Sequence, residues 1–136
     1  MPATATERLP PALIVHDAAH VARALAPGRP VTLLSPPGFA LYAGCLWWRS
    51  LLASARFTGP ALLDCADAAG RALEALRIGL RGLVLDPATP AFPRIAALAD
   101  EYRVTLLDAP PPALDLGNRI GPAALAAWLD AADNPA

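Results

Sequence analysis

The chain contains no lysine, and its 11 basic residues are all arginine. Without lysine there is no Schiff base to a carbonyl substrate or to pyridoxal phosphate. There is no phosphate-loop lysine either, and the lysine at the end of the fifth strand of a phosphorylated receiver domain is missing. Charge of any kind is scarce: charged residues make up 17% of the 136, and the net charge is −1. No basic run stands out, so no nucleic-acid partner is expected. Two cysteines, Cys45 and Cys65, form no disulfide framework and suit a reducing, cytoplasmic setting. The opening residues, MPATATERLPP, lack the apolar core of a secretion signal. The longest apolar stretch, residues 38–55, is interrupted by Arg49 and is too short for a membrane span.

What the chain does have is apolar bulk. Hydrophobic residues reach 55%, at the high end for a soluble protein, and much of the excess is alanine, which helices tolerate anywhere. A surface this poor in charge points to apolar area covered by another subunit. The length fits one domain around one core. The expected organisation is a flexible tail over 1–11, a single domain over 12–132 and a short C-terminal tail over 133–136.

Five aliphatic runs bounded by turn residues read as strands: ALIVHD (12–17), VTLLSPPG (31–38), ALLDC (61–65), GLVLDP (82–87) and VTLLDA (104–109). None alternates, which fits strands buried on both faces of a parallel sheet. Helical periodicity falls between and after them, over 18–26, 39–55, 68–78, 93–103 and 122–132. The alternation predicts an α/β domain with one five-stranded, mostly parallel sheet and helices on both faces. A flavodoxin-like order, 2-1-3-4-5, is the simplest closure; a half-barrel that pairs with another copy is the alternative. VTLL occurs twice, at 31–34 and 104–107; the flanking helices do not match, which favours convergent use of a good buried strand over an ancient duplication.

Each run ends in a polar residue: His16 and Asp17, then Ser35, Asp64, Asp86 and Asp108. In parallel α/β folds those carboxyl ends share one edge, and ligands bind there. Asp17 reads as a helix cap and Asp86 as a turn residue. Asp64 and Asp108 are the candidate acid–base groups, with His16 as a third. Cys65 could act as a nucleophile only beside a base, and His16 on a neighbouring strand could supply one; a packed, inert thiol is the simpler reading. His16 and His20 are four apart, but Asp17 starts the helix between them, so they should not share a face and no metal site is expected. Ser35 and Gly38 lie in SPPG, where backbone amides could meet an anion. Residues 109–121 could fold over the edge as a lid, with Arg119 suited to the oxyanion of a small anionic metabolite.

The helix over 39–55 is apolar nearly all round. Trp47 and Trp48 point about 100° apart on a helix, so one core face holds both with difficulty. A homodimer through this helix is the expected assembly. SPPGFALYAG followed by DCADAAGRALEALRIGLRGLVL resembles short uncharacterised α/β proteins of proteobacteria, over roughly residues 12–108. The resemblance implies a bacterial α/β protein in which SPPG and DCAD form a recurring unit; it carries no activity and no catalytic residue. The expected function is a homo-oligomeric small-molecule-binding or scaffold module without a cofactor. A small metal-dependent or acid–base enzyme using Asp64 and Asp108 is the alternative.

Overall fold

The computed structural model describes residues 9–133. Six short strands form one sheet: β1 (Ala12–Ile14), β2 (Thr32–Leu34), β3 (Ala61–Asp64), β4 (Gly82–Val84), β5 (Thr105–Leu107) and β6 (Ala113–Asp115). Every neighbouring pair is parallel. The first five are the aliphatic runs of the sequence. The sixth lies inside the stretch expected to be a lid. Residues 1–8 of the N-terminal tail and 134–136 of the C-terminal one lie outside the described residues. Residues 10 and 11 are engaged, since the Thr32 hydroxyl and amide donate to the carbonyls of Pro10 and Pro11, each at 2.8 Å.

The strand order is β5-β4-β3-β2-β1-β6, not 2-1-3-4-5. From β1 to β5 the chain steps in one direction without reversing. Right-handed crossovers that never reverse place every helix on the same face. The cores agree with this. Helices α1 (Ala18–Leu25), α3 (Gly44–Ser54), α4 (Ala69–Arg77), α5 (Phe92–Glu101) and α6 (Pro122–Asp133) send Val21, Trp48, Ala72, Ile95 and Leu125 into one cluster with the strand residues Leu13, Leu33, Leu63 and Leu83. The opposite face holds a separate cluster of Leu34, Leu62, Val84 and Leu107, joined by Leu9, Ile14 and Ala113, with no helical member. Helices on both faces were expected; between β1 and β5 the order does not reverse, and the helices share one core cluster on a single face.

The sheet also has to curl. Five strand spacings of about 4.8 Å put β5 and β6 about 24 Å apart in a flat sheet. The six peptide steps from Leu107 to Ala113 reach only about 20 Å. They must also descend from the carboxyl end of β5 to the amino end of β6. The two edges therefore bend toward each other over the helix-free face, and Ala113 of β6 packs against the cluster there that includes Leu107 of β5.

The helix expected over 39–55 is two helices. The break falls at Gly44, whose φ of +82° is a left-handed conformation that suits glycine. It separates α2 (Phe39–Tyr42) from α3. Trp48 is then 1% exposed in the core. Trp47 is half-buried against the Phe39 ring, 4.7 Å away between centroids. The chain covers both tryptophans itself to this extent. The exposed apolar side chains of the segment are instead Leu41, Tyr42 and Leu46.

Helix ends show a second departure from glycine's usual place. After α4 the left-handed residue is Gly79, but after α3 and α5 it is Arg56 and Arg103, with φ of +54° and +58°. Each costs roughly 1 kcal/mol relative to glycine.

Gly82 tests the β3–β4 packing. A Cβ there would fall on the carbonyl oxygen of Ala61 and 2.9 Å from Leu62 Cδ2. A strand carbonyl cannot yield as a flexible side chain can. Gly82→Ala is expected to lower stability by about 2–4 kcal/mol, read as a fall in the urea midpoint; an unchanged midpoint would show that the two strands can separate.

Candidate functional site

The carboxyl end of the sheet gathers the polar residues that follow each strand. β6 runs beside β1 with Ile14 opposite Asp115, so His16, two residues beyond Ile14, leaves the sheet next to that carboxylate. His16 Nε2 lies 2.7 Å from Asp115 Oδ1. The same oxygen accepts the Gly117 amide at 2.8 Å. A Cβ on Gly117 would stand 2.6 Å from His16 Nε2 and 3.0 Å from Asp115 Oδ1, so the two side chains lie directly over a bare glycine. Their side chains are 37% and 32% exposed, which anchors them while leaving them open to solvent.

His20 completes the cluster. Its Nδ1 accepts the His16 amide at 3.0 Å. Nδ1 is therefore unprotonated, and the ring proton sits on Nε2. The two imidazoles meet edge to face, with centroids 5.2 Å apart. Asp17 caps α1 by accepting the His20 amide at 2.9 Å. That backbone donor, first among the causes, holds its carboxyl below the usual carboxylate range. The two histidines do come together, but one nitrogen of His20 is committed to the backbone and one of His16 to Asp115. Among the described residues, no group of three or more histidines, cysteines and carboxylates is placed to hold a metal ion.

Ser35, Asp64 and Asp86 build turns. Ser35 is fully buried, and its Oγ accepts the Asp64 amide at 2.8 Å, tying β2 to β3. Asp64 is buried and accepts the Ala66 amide at 2.9 Å. Ala66, left-handed at φ +51°, accepts the Asp86 amide at 2.8 Å. Asp86 in turn accepts Ala88 N at 2.9 Å. These bonds chain the carboxyl ends of β2, β3 and β4 together. SPPG and DCAD touch: a Cβ on Gly38, itself at φ +64°, would lie 3.7 Å from the Ala66 methyl. The Phe39 amide is already used by the Pro36 carbonyl, and α2 has only four residues, so SPPG forms a tight turn and no anion cradle.

The proposed partnerships of Asp64 and Cys65 do not form. Asp108 is exposed beyond β5, with β4 between it and Asp64, whose carboxylate turns back to Ala66. Cys65 is fully buried on the helical side, its Sγ 3.7 Å from the Leu63 carbonyl, while His16 is held by Asp115. Burial first, then Cys45 and Asp64, pushes its thiol up to about 12. Arg119 is exposed in the turn after β6, and residues 113–115 lie in the sheet, so 109–121 is no lid.

Asp115 was missed by sequence reasoning. Its signal was an aliphatic pair followed by aspartate, as at 62–64. Three prolines ahead of it obscured the strand, and an edge strand tolerates such neighbours. Comparisons with protein-family models, curated proteins and solved structures find no match to this chain.

The thiols give a pH test. Cys45 is pushed up to about 11, first by burial and then by Glu74, and Cys65 to about 12. Unfolding returns both to the ordinary value near 9. The unfolded chain therefore loses its thiol protons first, and the stability these groups contribute is present below pH 9 and lost as pH rises through 11–12. Chemical denaturation from pH 7 to 11 should show this fall, and it should be shallower in C45A/C65A. Equal slopes in the two proteins would mean that the thiols are not sequestered.

Proposed function

We propose that the chain is a homo-oligomeric ligand-binding module whose ligand rests on His16 and Asp115 at the carboxyl ends of β1 and β6. The observation that carries this reading is the half-exposed imidazole held by a carboxylate over Gly117. A neutral His16 with its Nε2 proton toward Asp115 offers Nδ1 as an acceptor, and His20 offers Nε2–H as a donor. That combination suits a hydroxyl or amine group. Asp17, Asp64, Asp67, Asp86, Asp108 and Asp115 all end or follow strands at this edge, so a neutral or cationic ligand fits it better than the anionic metabolite expected from Arg119.

The same geometry supports acid–base catalysis as a second reading, because a carboxylate-oriented imidazole is the arrangement of a general base. Ser35 and Cys65 are buried, so neither is placed as a nucleophile for a covalent route. On this reading His16 would act on a proton of the substrate or of water. Asp64 and Asp108, too far apart in their surroundings to work together, would have no part in it.

A thermal-shift panel of polyols, amino alcohols and amines tests the site. A compound that stabilises the wild type should bind His16→Gln and Asp115→Asn at least tenfold more weakly. Equal stabilisation of the variants would sink the site assignment. Turnover of the bound compound by wild type, lost in Asp115→Asn with binding retained, would select the enzyme reading.

Assembly follows from the apolar surface. The half-barrel form of the fold accords with the curled sheet, but its inner residues Leu34, Leu62 and Val84 are already buried. Contact between copies therefore falls to Leu41, Tyr42 and Leu46, which are 46%, 83% and 54% exposed on α2 and α3. Light scattering at tens of micromolar is expected to show a dimer. Tyr42→Arg with Leu46→Arg should give a folded monomer, whereas Trp48→Arg should unfold the chain. A wild-type monomer at that concentration would rule out this assembly.

A further inference from the structure

We propose that the opposite, amino edge of the sheet carries a binding site for an oxyanion, a phosphate or carboxylate on a small organic body, held by Arg81 and Arg103. A cavity of about 520 Å3 opens there at the feet of β3, β4 and β5, with Thr58, Gly59, Gly82 and Thr105 in its wall beside the two arginines. The Thr105 amide donates to the Arg81 carbonyl at 3.0 Å, which sets Arg81 next to the turn that carries Arg103. No ion pair or side-chain hydrogen bond engages either guanidinium among the described residues. Asp100 and Glu101 end α5 just before Arg103; the Arg103 amide donates to the Asp100 carbonyl at 3.1 Å, but neither carboxylate forms an ion pair with its guanidinium.

Two independent features point to a ligand here. The first is conformational. Arg103 occupies the left-handed position after α5, where glycine would be relaxed, and Arg56 does the same after α3. Residues held in sparsely populated backbone conformations concentrate at working sites. Of the equivalent helix ends, the glycine is kept after α4, where Arg81 follows two residues later in an unstrained position. Each of β3, β4 and β5 is thus preceded by an arginine. The second feature is charge. Among the described residues, the cavity wall holds Arg81 and Arg103 and no carboxylate, so its fixed side-chain charge is positive. A planar guanidinium binds a phosphate or carboxylate through two parallel hydrogen bonds, and two in one cavity wall suit a multiply charged oxyanion. This site lies on the edge away from His16 and does not depend on that residue's role.

The test is a titration of the full-length, isotope-labelled protein at constant ionic strength with inorganic phosphate, tripolyphosphate and citrate. Saturable shifts confined to the amides of Gly59, Gly82 and Thr105 are expected. Arg81→Gln and Arg103→Gln should each weaken binding at least tenfold, while Arg94→Gln, at the other end of α5, and His16→Gln should leave it unchanged. Arg103→Gly separates function from structure: it should raise the thermal midpoint, because glycine is relaxed at that φ, and still lose the ligand. Tighter binding of the phosphate probes than of citrate identifies a phosphoryl group, and the reverse identifies carboxylates; both support the site. Shifts that never saturate, full binding by Arg103→Gly, or a response only to a long polyanion such as heparin would overturn it, the last in favour of a polyanion-binding surface.

Discussion

The link between the last two strands constrains everything else in this fold. Residues 108–112 must carry the chain from the carboxyl end of β5 to the amino end of β6, at opposite margins of a six-stranded sheet. A link this short cannot span a flat sheet, so the sheet bends. Prolines at 110–112 restrict the backbone of the link and hold it extended. Bending brings Leu34, Leu62, Val84 and Leu107 together on the inner side, where Leu9 and Ala113 join them. The helix-free face is thereby buried without a second layer of helices. The pairing of β6 with β1 follows from the same placement, and with it the contact of Asp115 with His16.

The strand order, one-directional from β1 to β5, divides the labour between the two ends of the sheet. The order switches between β1 and β6, the position where open α/β sheets usually seat a ligand, and the rest of the edge has no such switch. The carboxyl edge is instead stitched by its own side chains: Ser35 to Asp64, Asp64 to Ala66, Asp86 to Ala88. The β1–β6 corner holds a histidine and a carboxylate that are both oriented by hydrogen bonds and partly open to solvent. Short aspartates make these turns because their oxygens reach amides two residues on, while Ser35 reaches across to the next strand. That is a structural use of residues which, from spacing alone, resemble an acid–base set.

Much of the fold was legible in the sequence. The five unbroken aliphatic runs announced buried parallel strands, and the helical stripes between them fell where expected. The strand order was not legible, because each crossover has the same length and composition whichever neighbour it reaches. The division of helix 39–55 was signalled only by Gly44, one of 9 glycines, and it decided that Trp48 would be core and Trp47 half-covered. Of the site, His16 was recognised as a candidate and Asp115 was not. A hydrogen bond across 99 residues leaves no local pattern. Asp64, Ser35 and Cys65 were correctly placed near strand ends, yet burial, which periodicity alone does not resolve at a strand terminus, closed them to a ligand.

The β1–β6 pairing also gives the molecule an order of assembly. Each pairing from β1 to β5 joins segments about 20 to 30 residues apart, so a chain leaving the ribosome can add them one after another. The pairing of Ala12 with Ala113 closes a loop of about a hundred residues, the slowest kind of contact to form. Until Asp115 has been synthesised, β1 remains an open edge and His16 has no carboxylate. The corner that holds His16 is therefore the last part of the sheet to exist, and its histidine environment is a natural reporter of complete synthesis and folding.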